Sequence, residues 1–310
     1  MTAVPTILTF GSVNVDVIAR SSRLPRPGET LHGERYTMSL GGKGANQAAA
    51  VARLGCRSVL IGRIGADAFG ALARERLAAI GVEQVYLRED KSGTGVALIV
   101  VDAAGENSIV VISGANGAVS QADAELARDT FSHSAAVLLQ FEVPQAASLA
   151  AAKIARDSGA IVILDPAPAP ASALPPDFWT AVDIVTPNET ETQALTGVRP
   201  GSPSEAQEAA SRLRALGAKC AVIKMGAQGA YWSNASGHGH VPPFPVEAVN
   251  SVGAGDSFNG ALAVALTEGA TMADAVRFAC AGGALATTGS GGAEAAPGRE
   301  AVLHLLRATR

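Results

Sequence analysis

Asn250-Ser251-Val252-Gly253-Ala254-Gly255-Asp256-Ser257-Phe258-Asn259-Gly260-Ala261-Leu262 is a glycine-rich turn that opens an apolar helix with one carboxylate in its first turn. Gly253 and Gly255 let a ligand approach the backbone, and the unpaired N–H groups of a first helical turn offer positive potential to an anion. A carboxylate is odd company for a phosphate, because the two repel. The combination makes sense where Asp256 faces an attacking hydroxyl while the amides of Gly253, Ala254 and Gly255 cradle a transferring phosphoryl group. Alone, the same stretch also reads as a plain turn whose Asp256 complements the helix dipole.

Outward from that turn, short β-branched runs alternate with Ala/Leu-rich helical stretches. The runs include Ile7 to Phe10, Ser58 to Ile61, Ala136 to Leu139, Ala160 to Leu164, Asp183 to Val185 and Cys220 to Lys224. Most are continuously apolar, as strands buried on both faces should be, and the alternation predicts a mostly parallel sheet covered by helices. Two stretches break the rhythm, Val15 to Leu40 and Gly93 to Gly114, the second with a Gly105-Glu106-Asn107 turn between two apolar runs. They read as hairpin-like antiparallel strands forming a small lid. A lid belongs over the carboxyl ends of parallel strands, where open α/β folds bind ligands. The Pro/Ala-rich segment Asp165 to Pro176 is a loop after a strand, and neither a linker nor a repeat divides residues 1–310.

Composition narrows the partners. With 310 residues, 48% of them hydrophobic, the chain can bury one large core. A net charge of −4 with scattered Lys and Arg gives no basic stripe for nucleic acid and no polybasic membrane patch, which leaves a small molecule. Cys56, Cys220 and Cys280 are odd in number and far apart, as buried thiols of a reducing compartment would be. Met1 to Phe10 lacks a basic leader and runs into a strand, and no apolar run reaches membrane-spanning length, so the expected location is the cytoplasm.

Other segments offer polar groups at strand ends. In Asn14-Val15-Asp16 the strand period of two puts Asn14 and Asp16 on one face, where an amide and a carboxylate can bind vicinal hydroxyls; a solvated strand end is the plain alternative. Gly41-Gly42-Lys43-Gly44-Ala45-Asn46-Gln47 is a flexible turn entering a helix, with Asn46 in reach of a ligand. It is no P-loop, since Gly44 and not Ser or Thr follows Lys43, and the single Gly11 after the first strand gives no Rossmann fingerprint. Asn188 and Glu191 have capping-box spacing, yet they also suit the waters of a magnesium ion. Lys224-Met225-Gly226-Ala227-Gln228-Gly229 closes a strand as a turn or as the wall of a nucleotide site. The histidines have no metal-pair spacing; His238 and His240 fall in a Gly-rich loop and are read as non-catalytic.

Together these segments resemble the ribokinase family, within the superfamily of ribokinase, fructokinase and adenosine kinase. The ordered matches run from Asn14-Val-Asp16 through Pro27-Gly-Glu-Thr30, Gly41 to Gln47, Thr94-Gly-Val-Ala-Leu98, Gly105-Glu-Asn107, Gly114-Ala-Asn116, Gln140-Phe-Glu142, Asp165-Pro-Ala-Pro168 and Thr186 to Glu191 to Gly253-Ala-Gly-Asp256. The resemblance implies a three-layer α/β/α fold with a small antiparallel β lid and a homodimer paired through that lid. It implies ATP-dependent, magnesium-requiring phosphorylation of D-ribose at its 5-hydroxyl, with Asp256 as base and Gly253 to Gly255 as anion hole. Asn14, Asp16, Gly42, Lys43, Asn46 and Glu142 would line the sugar site. Asn188, Lys224, Gly226, Gly229 and Gly255 would border ATP, and Glu191 would act on magnesium through water.

The chain departs from the family's pattern where Asn250-Ser251-Val252 replaces Asp-Thr-Thr or Asp-Thr-Ala, where Cys280 takes the position of an Asn beside adenine, and where Ala295 stands for a Ser of the monovalent-cation loop. Potassium activation through Asn250 is therefore expected to be weak. For a loose transition state a carboxylate of ordinary pKa, or one depressed by the helix dipole, suffices at Asp256. A kinase of another sugar or a nucleoside on this scaffold, and a catalytically silent sugar-binding protein, are the rival readings.

Overall fold

The computed structural model describes residues 4–309. Met1 to Ala3, the start of the expected leaderless N-terminus, and Arg310 lie outside the described residues. The strands are β1 (Thr6–Phe10), β2 (Asn14–Arg20), β3 (Arg35–Gly41), β4 (Arg57–Gly65), β5 (Glu83–Asp90), β6 (Gly95–Val101), β7 (Asn107–Ile112), β8 (Ala136–Leu139), β9 (Ile161–Leu164), β10 (Ile184–Val185), β11 (Cys220–Lys224), β12 (Ala230–Asn234) and β13 (Gly237–Val241). The helices are α1 (Lys43–Arg53), α2 (Ala68–Ile80), α3 (Gln121–Leu126), α4 (Arg128–Phe131), α5 (Gln145–Asp157), α6 (Pro176–Ala181), α7 (Glu189–Thr196), α8 (Pro203–Ala215), α9 (Ala254–Thr267), α10 (Met272–Ala286) and α11 (Arg299–Ala308).

Among the described residues, a nine-stranded sheet runs β13-β12-β11-β10-β9-β8-β1-β4-β5. It is parallel except at one edge, where β12 runs antiparallel to both β11 and β13. Each apolar run read from the sequence overlaps one of its strands. Their continuous apolarity has a direct cause, because alternate residues enter two different cores. Leu8, Phe10, Val137, Leu139, Val162 and Leu164 pack with Ala151, Ala155 and Leu213 of α5 and α8. Ile7, Ala136, Leu138, Ile163 and Val222 pack on the other face with Phe258, Leu262, Val276 and Val302 of α9, α10 and α11. A strand covered by helices on both faces has no polar side.

A second sheet of four strands, β3-β2-β6-β7, forms the lid. Its outer pairs, β2–β3 and β6–β7, are antiparallel as expected, while the central β2–β6 pair that joins them is parallel. The segment with His238 and His240 is not a loop but β13, paired with β12. The His238 ring lies 2.9 Å from the Tyr231 hydroxyl, and His240 lies 2.7 Å from the Gln228 carbonyl. Cross-strand pairing outweighed the glycines there, because Gly237 and Gly239 pack against Trp232.

The strand order reverses at β1, which has β4 on one side and β8 on the other. In open α/β sheets that switch point opens a crevice at the carboxyl ends of the strands.

Candidate active site

Side chains from that crevice line a cavity of about 480 Å³. Asn14 and Asp16 enter it from the start of β2, and Lys43 and Asn46 from the first turn of α1. Glu142, Asp165 and Asn188 follow β8, β9 and β10, Lys224 ends β11, and Asp256 comes from the first turn of α9. Glu142, Asp165, Asn188 and Lys224 meet because each lies at the carboxyl end of its strand, and the start of β2 and the first turns of α1 and α9 open onto the same end.

On the lid side, Asn14 and Asp16 share a buried face, as the period of two required, with Val13 and Val15 in the core. Buried Asn116 fixes Asn14: its Nδ2 donates to Asn14 Oδ1 (2.7 Å), and its Oδ1 accepts from the Val13 amide (2.8 Å). Glu142 is held by the Ser12 hydroxyl (2.6 Å) and by the first amide of α1, that of Lys43 (3.0 Å). Burial, with the carboxylates of Glu142, Glu294 and Asp256 nearby, pushes the Asp16 carboxyl up to about 6.

Asp256 is buried in a polar cage. Asn46 Nδ2 donates to its Oδ2 (2.9 Å) and Gln47 Nε2 to its Oδ1 (3.1 Å). Gln47 Nε2 also donates to Asp165 Oδ2 (3.2 Å), and Gln140 Nε2 donates to Gln47 Oε1 (2.5 Å), which fixes the way the Gln47 amide faces. Lys224 Nζ donates to Asp165 Oδ1 (2.8 Å) with both groups largely buried. Burial drives the Asp256 carboxyl above the ordinary range, Lys43 opposes this, and Asp165 adds to it. An ordinary or depressed pKa was expected from the helix dipole; the first-turn position is as read, but burial outweighs the dipole. Burial works against the Lys43 ammonium, yet Asp256, then Asp165, Glu142 and Glu191, outweigh it and raise its pKa. Lys43 stays charged.

The N-cap of α9 is Gly253, in the left-handed region at φ 77° and with no side-chain cap hydrogen bond. The Ala254 amide donates to the Ser251 carbonyl (3.3 Å), and Ser251, Val252, Gly253 and Gly255 line the cavity wall at this helix end. On the other side of that wall is a second cavity, of about 500 Å³, which shares Lys224, Gly226, Ser251 and Gly255 with the first. Phe244, Val246, Ala248, Phe258, Cys280 and Ala284 make it an apolar slot, closed by Ala227 and Gly229. Burial pushes the Cys280 thiol up to about 12, so it is a neutral wall.

Asn188 and Glu191 form the capping box of α7 and line the first cavity as well. Glu191 accepts from the Asn188 amide (2.8 Å) and Nδ2 (3.0 Å). Burial raises its pKa, with Lys224 opposing and Asp165 adding. Asn250 lines neither cavity. Its Oδ1 accepts from the Val252 amide (3.0 Å) in its own turn.

Sequence reading gave no role to Ser12, Gln47, Asn116, Gln140, Asp165 or Glu294. The signal that was available is a polar residue directly after an apolar strand run, which marks Gln140 after β8 and Asp165 after β9. All three cysteines are free and buried. No helix among the described residues is long and apolar enough to cross a membrane.

Residues 4–299 match the pfkB family of carbohydrate kinases. The chain is 36% identical to a ribokinase of Haemophilus influenzae over 97% of its own length and 98% of that protein's. It is 33% identical to a deoxyribokinase of Salmonella typhi over 92% of its length and 93% of the relative's. The solved structure of Arabidopsis thaliana ribokinase complexed with ribose and ATP matches with a TM-score of 0.91 at 33% identity, covering 98% of this chain and 99% of that one.

Proposed function

The chain belongs to the pfkB family of carbohydrate kinases, and we propose that it transfers the γ-phosphoryl group of ATP to the 5-hydroxyl of D-ribose, giving D-ribose 5-phosphate. One observation carries this reading: a polar cavity holding Asp256 and an apolar slot meet at the N-terminus of α9, which has no side-chain cap. In this reading Asn14, Asp16, Lys43, Asn46 and Glu142, with the backbone at Gly42, hold the sugar hydroxyls. Asp256 takes the proton of the attacking hydroxyl, for which its raised pKa suits it better than an ordinary carboxylate. The amides of Gly253 and Gly255 receive the charge of the transferring group, joined by that of Ala254 once it gives up its 3.3 Å bond to the Ser251 carbonyl.

Lys224, Gly226 and Gly229 border the nucleotide, and the slot around Phe244 and Cys280 covers the base. The donor set fits magnesium, because Glu191 and Asn188 offer oxygen to a hard cation that keeps much of its water. Held there, the ion would supply positive charge to offset that of the phosphates. Ile99, Ile109 and Val111 of the lid line the sugar cavity, which supports a lid that excludes water on closing.

The Asn14–Asp16 face favours ribose over a 2-deoxy sugar, since two polar groups there serve vicinal hydroxyls. A nucleoside would need aromatic cover in the lid, which Tyr36 alone supplies, and it is 68% exposed. The buried hydrogen bonds on Asp256 argue against a silent binding protein. We read residues 1–310 as one kinase domain with its lid from 15–40 and 93–114. Exposed Val110 and Ile112, on the face of the lid's edge strand opposite the cavity, support a homodimer, and the free thiols support a cytoplasmic location. A coupled ADP-release assay over a panel of sugars with ATP and magnesium tests the whole reading. Ribose should give the highest kcat/KM, and no sugar-dependent ADP release would refute a kinase.

A further inference from the structure

Glu294 stands outside every motif read from the sequence, yet it joins three parts of the sugar site. In the lid, β3 is an edge strand, so the outward amide of Leu40 has no strand partner. Leu40 is fully buried, and an unpaired amide there would be costly. Glu294 Oε1 accepts it at 2.9 Å, and the same oxygen accepts Arg76 Nη1 of α2 at 2.5 Å. Both side chains of that ion pair are about a third exposed, so the pair adds little stability. Its effect is placement.

What it places is the floor of the sugar site. Ser39, next to Leu40, pairs across the sheet with Asp16, and a Cβ on Gly41 would collide with the Asp16 carboxylate. The strand held by Glu294 is therefore the surface on which Asp16 lies. Behind Glu294, Gly292 packs so closely that a Cβ there would come within 2.6 Å of Asn46 Oδ1 and 3.0 Å of Asn46 Nδ2, the atom that donates to Asp256. Two polar atoms by this clamp, Glu294 Oε2 and Ser39 Oγ, are buried with no hydrogen-bond partner among the described residues. A Cβ on Gly291 would lie 3.3 Å from the first and 3.8 Å from the Ser39 Cβ. One is an acceptor and the other a donor, so the clamp holds a hydrogen bond in reserve.

We propose that Glu294 is a positioning residue for the sugar: it clamps lid strand β3 to α2 and to the Gly291–Gly292 turn, and so holds Asp16 and Asn46 in sugar-binding register. The Ser39 hydroxyl completes the clamp on Glu294 Oε2 when the lid settles on the sugar. This rests on the sugar-kinase reading, and the test separates the two. A sugar panel on the wild-type protein first fixes the acceptor; failure of ribose there refutes the ribose reading, and the variants are then compared on whichever sugar is turned over.

Glu294→Ala should raise KM for that sugar by about tenfold or more with kcat within about threefold and KM for ATP unchanged. Glu294→Gln keeps an acceptor for Leu40 but loses a charge facing Asp16. It should give an intermediate KM and move the acid limb of the kcat/KM profile to lower pH, where Glu142, Asp256 and Lys43 still face the site and Arg76 is left without its partner. A general structural defect would raise both KM values together and leave that limb in place. An unchanged sugar KM in Glu294→Ala, or in Glu294→Gln should the alanine variant not fold, overturns the proposal, as does a parallel rise in KM for ATP or the absence of any kinase activity in the wild type.

Discussion

Asp16 should set the acid limit of sugar binding. Burial, then the charges of Glu142, Glu294 and Asp256, raise its carboxyl from an ordinary 3.8 to about 6. A raised pKa means that the free protein holds this group protonated below pH 6, and a protonated carboxyl loses acceptor capacity toward sugar hydroxyls. The ionised fraction is about nine-tenths at pH 7 and about one-tenth at pH 5, so kcat/KM for ribose should fall about tenfold between them. The same shift has a sign for folding. Because the unfolded chain ionises near 3.8 and the folded one near 6, the stability from this group falls as pH rises through that window, by about 3 kcal/mol at most. Asp16→Asn should therefore be the more stable protein at pH 7, with weaker ribose binding and a flattened acid limb. The assay is ADP release at low ribose and saturating ATP from pH 5 to 8, beside thermal unfolding of both proteins. The Asp256 carboxyl is also raised, so a limb seen at saturating ribose belongs to it. A wild-type profile that is flat from pH 5 to 7, or an acid limb in kcat/KM that Asp16→Asn leaves at the wild-type pH, would refute the reasoning.

Asp256→Asn should lower kcat by about 100-fold or more with little change in ATP affinity, and near-normal turnover would remove Asp256 from the base role. Asp165→Ala strands the buried Lys224 ammonium and should destabilise the fold by about 3 to 5 kcal/mol, read by denaturant unfolding; a loss under about 1 kcal/mol would mean that Lys224 finds water instead. 2-Deoxyribose should have a kcat/KM about 10- to 100-fold below that of ribose, since a hydrogen bond to a charged group contributes about 1.5 to 3 kcal/mol, and equal values would contradict the Asn14–Asp16 arrangement. Potassium should activate weakly, because Asn250 Oδ1 already accepts the Val252 amide; a large, saturable potassium requirement at matched ionic strength would show that the loop opens to take the ion.

The sheet was legible because strands such as Ala136–Leu139 and Ile161–Leu164 are apolar at every position, as strands covered on both faces are. The shared polar face of Asn14 and Asp16 was legible from the sequence step between them, because the strand period fixes it locally. The cage around Asp256 was not. Gln47, Gln140 and Asp165 lie far apart in sequence, and nothing local tells a buried Gln that orients a base from one at a helix surface. The raised pKa of Asp256 was missed for the same reason, since burial belongs to the whole fold while the helix dipole can be read from one turn. Glycine content misled at His238 and His240, where small residues make room for Trp232 and do not loosen the strand.

A carboxylate next to an anion site is reconciled by helix geometry. Successive residues of α9 project about 100° apart. Ala254 lines only the apolar slot, Gly255 lines the wall shared by both cavities, and Asp256 lines only the polar cavity. One helical turn thus points its amides along the axis while directing the acidic side chain away from the nucleotide side. Lys224 stands at the same shared wall, its Nζ 3.4 Å from where a Cβ on Gly255 would be, and Asp165 holds it there. Positive potential is concentrated at the junction and negative charge on the sugar side. In the proposed kinase reading, a phosphoryl group at the junction meets amides and an ammonium, and the hydroxyl that attacks it meets the carboxylate.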